Sequence, residues 1–192
     1  IPNTALIQLF DKLERLTGED TLVLAGSIPK SLPQDIYQQI MERLAPKKIP
    51  IVVDATGTLL QKVLKYHPFL IKPNNHELGE LFHTTLETTE DILLYARKLQ
   101  EMGARNVLIS MAGNGSILIT ENHEVHQMGV AKGTVRNSVG AGDSMVAGFL
   151  AGYQQTKDYA YALRLGTAAG GATAFSDDLA TKEEIETILQ QL

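Results

Sequence analysis

Apolar runs of three to six residues alternate with amphipathic helical stretches along this chain, and no other feature of the sequence constrains the fold as strongly. Thr21 to Ala25, Ile49 to Val53 and Phe69 to Ile71 are strand-like runs. Between them, residues 34–45 place Ile36, Ile40, Met41 and Leu44 on one helical face, and a further helix is expected over 57–66. Two strands separated by a helix run parallel, because only a crossover of that length returns the chain to the same end of a sheet. The expected architecture is therefore α/β, a parallel sheet with helices on both faces. A helix is also expected over 4–17, through Leu6, Leu9, Phe10, Leu13 and Leu16, and others over 75–82 and from Thr88 or Thr89 onward. Strands are expected over 106–111, 115–120 and 124–130, the first two joined by the turn Gly113-Asn114-Gly115. Beyond these the chain reads as helical over 141–155, 159–174 and 182–191, with Thr181 and Glu184 forming a capping box for the last.

The 192 residues, 44% of them hydrophobic, are enough to bury a core as a single α/β domain spanning 1–192. A net charge of −5, with no block of like charges, argues against nucleic acid as a partner. No apolar run reaches the length of a membrane span and no basic-then-apolar leader is present, so no membrane partner is expected. The absence of cysteine removes disulfides and thiolate chemistry and is compatible with the cytoplasm. Ile1 precedes a helix rather than a strand, which leads us to expect that an amino-terminal part of the parent protein is missing.

In an open parallel sheet, ligands bind beyond the carboxyl ends of the strands. Five polar clusters fall there: Gly26-Ser27, Asp54, Lys72-Pro73-Asn74, Ser110 to Gly115, and Asn137 to Gly148. In the last, Gly140 and Gly142 allow backbone N–H groups to converge on an anion at a helix start. Asp143 at such a site is electrostatically awkward, and is either a helix cap or a base for an incoming hydroxyl. The segment is neither a dinucleotide fingerprint, since Met145 stands where the third glycine would be, nor a P-loop, which needs a lysine. Lys72-Pro73-Asn74-Asn75-His76-Glu77 puts a cation, two amides and a carboxylate in one strand-to-helix turn. That grouping suits a metal-nucleotide site, and equally an Asn cap with Glu near the positive helix end. Gly113 to Gly115 reads as a structural turn, and Ala168-Ala169-Gly170-Gly171 as tight helix packing. Asp54 reads as a cap or a supporting residue outside the catalytic set.

With Ile71-Lys72-Pro73-Asn74-Asn75-His76-Glu77-Leu78 and Asn137-Ser138-Val139-Gly140-Ala141-Gly142-Asp143-Ser144-Met145-Val146-Ala147-Gly148 in view, the chain resembles the ribokinase-like sugar kinases of the phosphofructokinase B family. Leu24 to Pro29 and Ala172 to Ser176 add supporting matches, and the likeness covers essentially the whole chain. The resemblance implies transfer of the ATP γ-phosphoryl group to a hydroxyl of a phosphorylated ketohexose. Fructose 1-phosphate is the first expectation and tagatose 6-phosphate the sibling. It casts Asp143 as the base, and the amides of Gly140, Ala141 and Gly142 as stabilisers of the transferring group. Asn74 and Glu77 would order Mg2+ through water, and Lys72 would add charge beside the nucleotide phosphates. Ser110, Gly113 and Gly115 would form the ATP-binding turn, with Ala168 and Gly171 beside the adenine. Family members also have amino-terminal strands that carry sugar contacts and a lid that makes a homodimer; nothing before Ile1 supplies them here. A fragment that binds nucleotide without catalysis is the alternative of a different class.

Overall fold

A computed structural model describes residues 1–192, which divide into two compact units, Ile1–Val107 and Leu108–Leu192. The first unit runs α1 (Asn3–Leu13), β1 (Leu22–Ala25), α2 (Ile36–Leu44), β2 (Ile51–Asp54), α3 (Gly57–Leu64), β3 (Leu70–Ile71), α4 (Asn75–Leu81) and α5 (Thr89–Glu101), and ends on the first residues of β4 (Asn106–Ser110). Its strands lie in chain order and every pair is parallel, with Ala25 opposite Asp54, Val53 opposite Ile71 and Ile71 opposite Val107. Ile51, Val52 and Val53 are all buried. Successive strand residues point to opposite faces, so β2 is covered on both sides, as the crossover helices require. At β1 alternation returns, with Leu24 buried and Val23 exposed.

Helix α1 stops at Leu13, short of the expected 4–17. Past that point the ammonium of Lys47 donates to the carbonyls of Glu14 and Leu16, the latter at 3.1 Å, and Asp20 accepts the Thr17 N–H at 2.8 Å. Those partners hold the carbonyls and amides that a longer helix would have used internally. A polar group in the core is also satisfied: Asn106, fully buried, donates from its side-chain nitrogen to the Phe69 carbonyl at 2.7 Å.

The second unit holds the rest of β4, then β5 (Ser116–Ile119), β6 (Val125–Met128), α6 (Ala141–Thr156), α7 (Tyr159–Phe175) and α8 (Lys182–Leu189). Here β5 and β6 pair antiparallel, Ser116 opposite Met128 and Ile119 opposite Val125, so the strands are mixed rather than wholly parallel. The link between them is too short for a crossover. It closes instead through Thr120 N–H to Glu124 O at 3.0 Å and His123 N–H to Thr120 O at 2.8 Å. Helices α6 and α7 lie against each other through glycines. A Cβ on Gly148 would sit 2.8 Å from the Leu165 carbonyl oxygen, and one on Gly170 would sit 3.0 Å from that of Ala141. Helix α8 closes over α7 through Ile188, which packs with Ala131, Ala168 and Ala172. Its expected capping box is present, Thr181 and Glu184 each accepting the other's backbone N–H.

Candidate active site

In the second unit, Gly140 takes φ +80° as the N-cap of α6, a conformation that an L side chain adopts only under strain. That turn directs the first amides of a 16-residue helix outward. Ala141 N–H donates to Ser138 O at 3.2 Å and Ser144 N–H to Gly140 O at 2.8 Å, while the N–H groups of Gly140, Gly142 and Asp143 have no acceptor in the chain. Three donors and the positive end of a helix dipole therefore face outward together, suited to a phosphate-like anion. The Asp143 side chain is exposed and accepts no hydrogen bond. Its capping reading fails on that point, because Gly140 holds the cap position and makes no side-chain cap bond.

Contacts from α7 fix this turn. Thr173 donates from its hydroxyl to Ser144 Oγ at 2.9 Å, and the Ala174 carbonyl accepts from both Arg136 and Asn137 N–H, at 2.8 and 3.2 Å. The turn from Ser110 to Gly115 reaches the same helix. Ser116, directly after it, shares a 2.7 Å hydrogen bond with Thr167, one residue before Ala168. Ala112–Asn114 form a single 3-10 turn closed by Asn114 N–H to Met111 O at 2.9 Å and Gly115 N–H to Ala112 O at 3.1 Å, and Met111 N–H donates across the loop to Gly115 O at 2.9 Å. Gly115 is sterically required there: its φ is +85° and a Cβ would lie 2.1 Å from the Met128 carbonyl oxygen. Ala168 is fully buried and spent on packing against Ile188, whereas Gly171 is partly open. A Cβ added to Gly113 would meet nothing within 4 Å, and the φ of this residue is not positive. Gly113→Ala is accordingly expected to change unfolding free energy by less than about 0.5 kcal/mol. Any loss of nucleotide affinity measured by calorimetry in that variant then reports a ligand contact and not a folding defect.

In the first unit, Lys72 follows β3 and Asp54 ends β2. The parallel register sets these strand ends side by side, bringing Lys72 Nζ within 3.4 Å of Asp54 Oδ2. Asn74 caps α4 in a reciprocal box: Glu77 N–H donates to Asn74 Oδ1 and Asn74 N–H to Glu77 Oε2, both at 2.8 Å. The helix-cap reading of the Asn-x-x-Glu pair is thus met in full. It also leaves atoms over, because Glu77 Oε1 and the Asn74 side-chain nitrogen take no part in it. No three His, Cys, Asp or Glu side chains gather into a metal cage. One spare carboxylate oxygen beside a free amide fits a magnesium ion held mainly by its waters and by ligand phosphates, which is how that ion usually binds.

Tyr37 joins this group, although nothing in its local sequence singles it out. The single proton of its hydroxyl is shared between the Ala25 carbonyl at 2.7 Å and that of Gly26 at 3.2 Å. Burial raises its pKa, and the negative charge of Asp54 raises it further. The one sequence signal for Asp54 is position: it ends a strand next to the strand that leads into Lys72. His76, inside the Asn-x-x-Glu segment, is exposed.

The model of the pfkB family carbohydrate kinases matches residues 3–185. The chain belongs to that family. Among its relatives it is similar to the 1-phosphofructokinase of Bacillus subtilis (strain 168), 46% identical over 182 residues that cover 95% of this chain and 60% of that protein. It is similar also to the D-tagatose-1-phosphate kinase of Bacillus licheniformis, 32% identical over 186 residues, or 96% of this chain and 61% of that one. A crystal structure of a Staphylococcus aureus protein, solved as a candidate phosphofructokinase, superposes with a TM-score of 0.93 at 41% identity, covering 100% of this chain and 62% of that one. The chain thus spans about three fifths of the length of the relatives it matches. No helix is long and apolar enough to cross a membrane.

Proposed function

We propose that this chain is the nucleotide-binding and catalytic-base part of a longer, homodimeric, cytoplasmic kinase that moves the γ-phosphoryl group of ATP to a hydroxyl of a phosphorylated ketohexose. Fructose 1-phosphate becoming fructose 1,6-bisphosphate is the leading case. The observation that carries this reading is Asp143, an unpaired carboxylate in the same helical turn as three outward, unpaired amides. Asp143 takes the proton from the attacking hydroxyl, and the N–H groups of Gly140 and Gly142 stabilise charge on the transferring group. Ala141 joins them by releasing its long bond to Ser138. Ser110, Gly113 and Gly115 line the nucleotide with Gly171, while Ala168 acts through the packing that shapes that surface. Glu77 and Asn74 hold Mg2+ through water, and the ion, when bound, neutralises phosphate charge. Lys72 adds positive charge beside the nucleotide phosphates.

The family match and the 1-phosphofructokinase relative support the substrate class. The tagatose kinase relative favours a second acceptor, tagatose 1-phosphate, which differs from fructose 1-phosphate only in the configuration at C4. Tagatose 6-phosphate carries its phosphate at the other end of the sugar. ADP formation by the whole protein, measured with both 1-phosphates, tagatose 6-phosphate and fructose 6-phosphate, separates these readings. Fructose 1-phosphate is expected to give a kcat/KM about ten-fold or more above the others, on the scale of one well-placed polar contact. The absence of ADP formation with every member of the panel would overturn the proposal.

A further inference from the structure

Resting on the kinase reading, we propose that Asp54 is a positioning residue: its carboxylate holds the buried Lys72 ammonium at the end of β3, where that ammonium takes an anionic oxygen of the nucleotide phosphates. Lys72 is only 7% exposed, and Asp54 is its one polar contact in the chain, at 3.4 Å. An ammonium carries three donors, so two remain for an incoming acceptor. A buried lysine without a counter-charge is costly, and a carboxylate offsets that cost while fixing where the charge sits. The pair is built by the fold, since the parallel register of β2 with β3 sets residues 54 and 72 at neighbouring strand ends. Pro73 then restricts Lys72 to an extended backbone and leads directly into the Asn74 cap, so the aim of Lys72 is tied to the residues assigned to Mg2+. Asp54 itself is anchored on its other side, because its carbonyl accepts Gly26 N–H at 3.0 Å and the Gly26 carbonyl accepts from Tyr37.

The test is a double-mutant cycle in the whole protein, with Kd for MgATP and for adenosine measured by calorimetry in the parent, Asp54→Asn, Lys72→Met and the double variant. A positioning role predicts that Asp54→Asn weakens MgATP binding by about ten-fold, one charge-assisted contact, and leaves adenosine binding within about two-fold. It also predicts that Asp54→Asn has no further effect once Lys72 is Met. Asp54→Glu, which keeps the charge and displaces it by one methylene, is expected to recover part of the loss, and carries the same comparison with the parent if Asp54→Asn does not fold. A purely structural pair would lower MgATP and adenosine affinity together, or lower only the unfolding temperature; either result overturns the proposal. If Lys72→Met weakens MgATP binding and neither Asp54 variant does, the inference about Asp54 falls and the kinase reading stands. If the parent binds no MgATP, both fall.

Discussion

Asp143→Asn is expected to lower kcat for ADP formation by about 10²- to 10⁴-fold, the usual contribution of a positioned base, while Kd for MgATP stays within a few-fold of the parent. The amide is nearly isosteric and removes only the ability to accept a proton. Asp143 is exposed and makes no hydrogen bond, so the substitution strands no buried partner and leaves the Gly140 turn as it was. The helix start loses a favourable charge near its positive end, which lowers stability slightly. Steady-state kinetics, calorimetry and a thermal melt separate these effects. A variant with kcat within a few-fold of the parent would sink the assignment of Asp143 as base. A variant that loses nucleotide affinity as much as turnover would recast Asp143 as a binding residue.

The second large effect concerns the surface that holds the cradle in place. Gly148→Ala substitutes the best helix former for one of the worst, a gain of up to about 1 kcal/mol in an exposed helix. At this position the opposite sign is expected. The added Cβ would lie 2.8 Å from both the Ala169 Cβ and the Leu165 carbonyl oxygen, and 3.1 Å from the Gly166 Cα. Two of those three neighbours are backbone, which cannot move aside by changing rotamer. Overpacking of this kind costs about 1–3 kcal/mol, so the net change is destabilising by about 1 kcal/mol for Ala and larger for Val. In a chain of this size 1 kcal/mol corresponds to a fall in Tm of about 2–4 °C. The consequence reaches the site, because the same interface places Gly170 against Ala141 in the first turn of α6. Gly148→Val is therefore expected to reduce turnover although residue 148 touches no ligand. Denaturant unfolding read alongside kcat checks both parts, and a Gly148→Ala variant more stable than the parent would show that α6 and α7 are not locked together.

Helix starts are legible in the sequence because their signals are local. Thr181 with Glu184 and Asn74 with Glu77 form their capping boxes within a few residues of chain. The parallel strands of the first unit are legible too, since a helix-length connection between two apolar runs permits little else. The antiparallel pairing of β5 with β6 departs from the expected parallel sheet, although the short Thr120–Glu124 link that enforces it lies in plain view. Gly140 can be read as a turn glycine, and its φ of +80° agrees. By contrast, Gly148, Gly152, Gly166 and Gly170 look alike in sequence, and only the approach of two helices shows that a Cβ at each would meet the opposite helix at 3.0 Å or closer.

What the sequence determined by itself was the order of elements and their caps, which depend on neighbours along the chain. Tertiary structure alone decided which atoms of the capping residues are already used. It showed that the Asn-x-x-Glu pair keeps one carboxylate oxygen and one amide outside its capping bonds. It ended α1 early by bringing Lys47 to the carbonyls of Glu14 and Leu16, and it joined Asp54 to Lys72. The reason is physical: a hydrogen-bonded cap forms between adjacent residues whatever the rest of the chain does, whereas an ion pair between strand ends exists only once the register of a sheet has set those ends side by side.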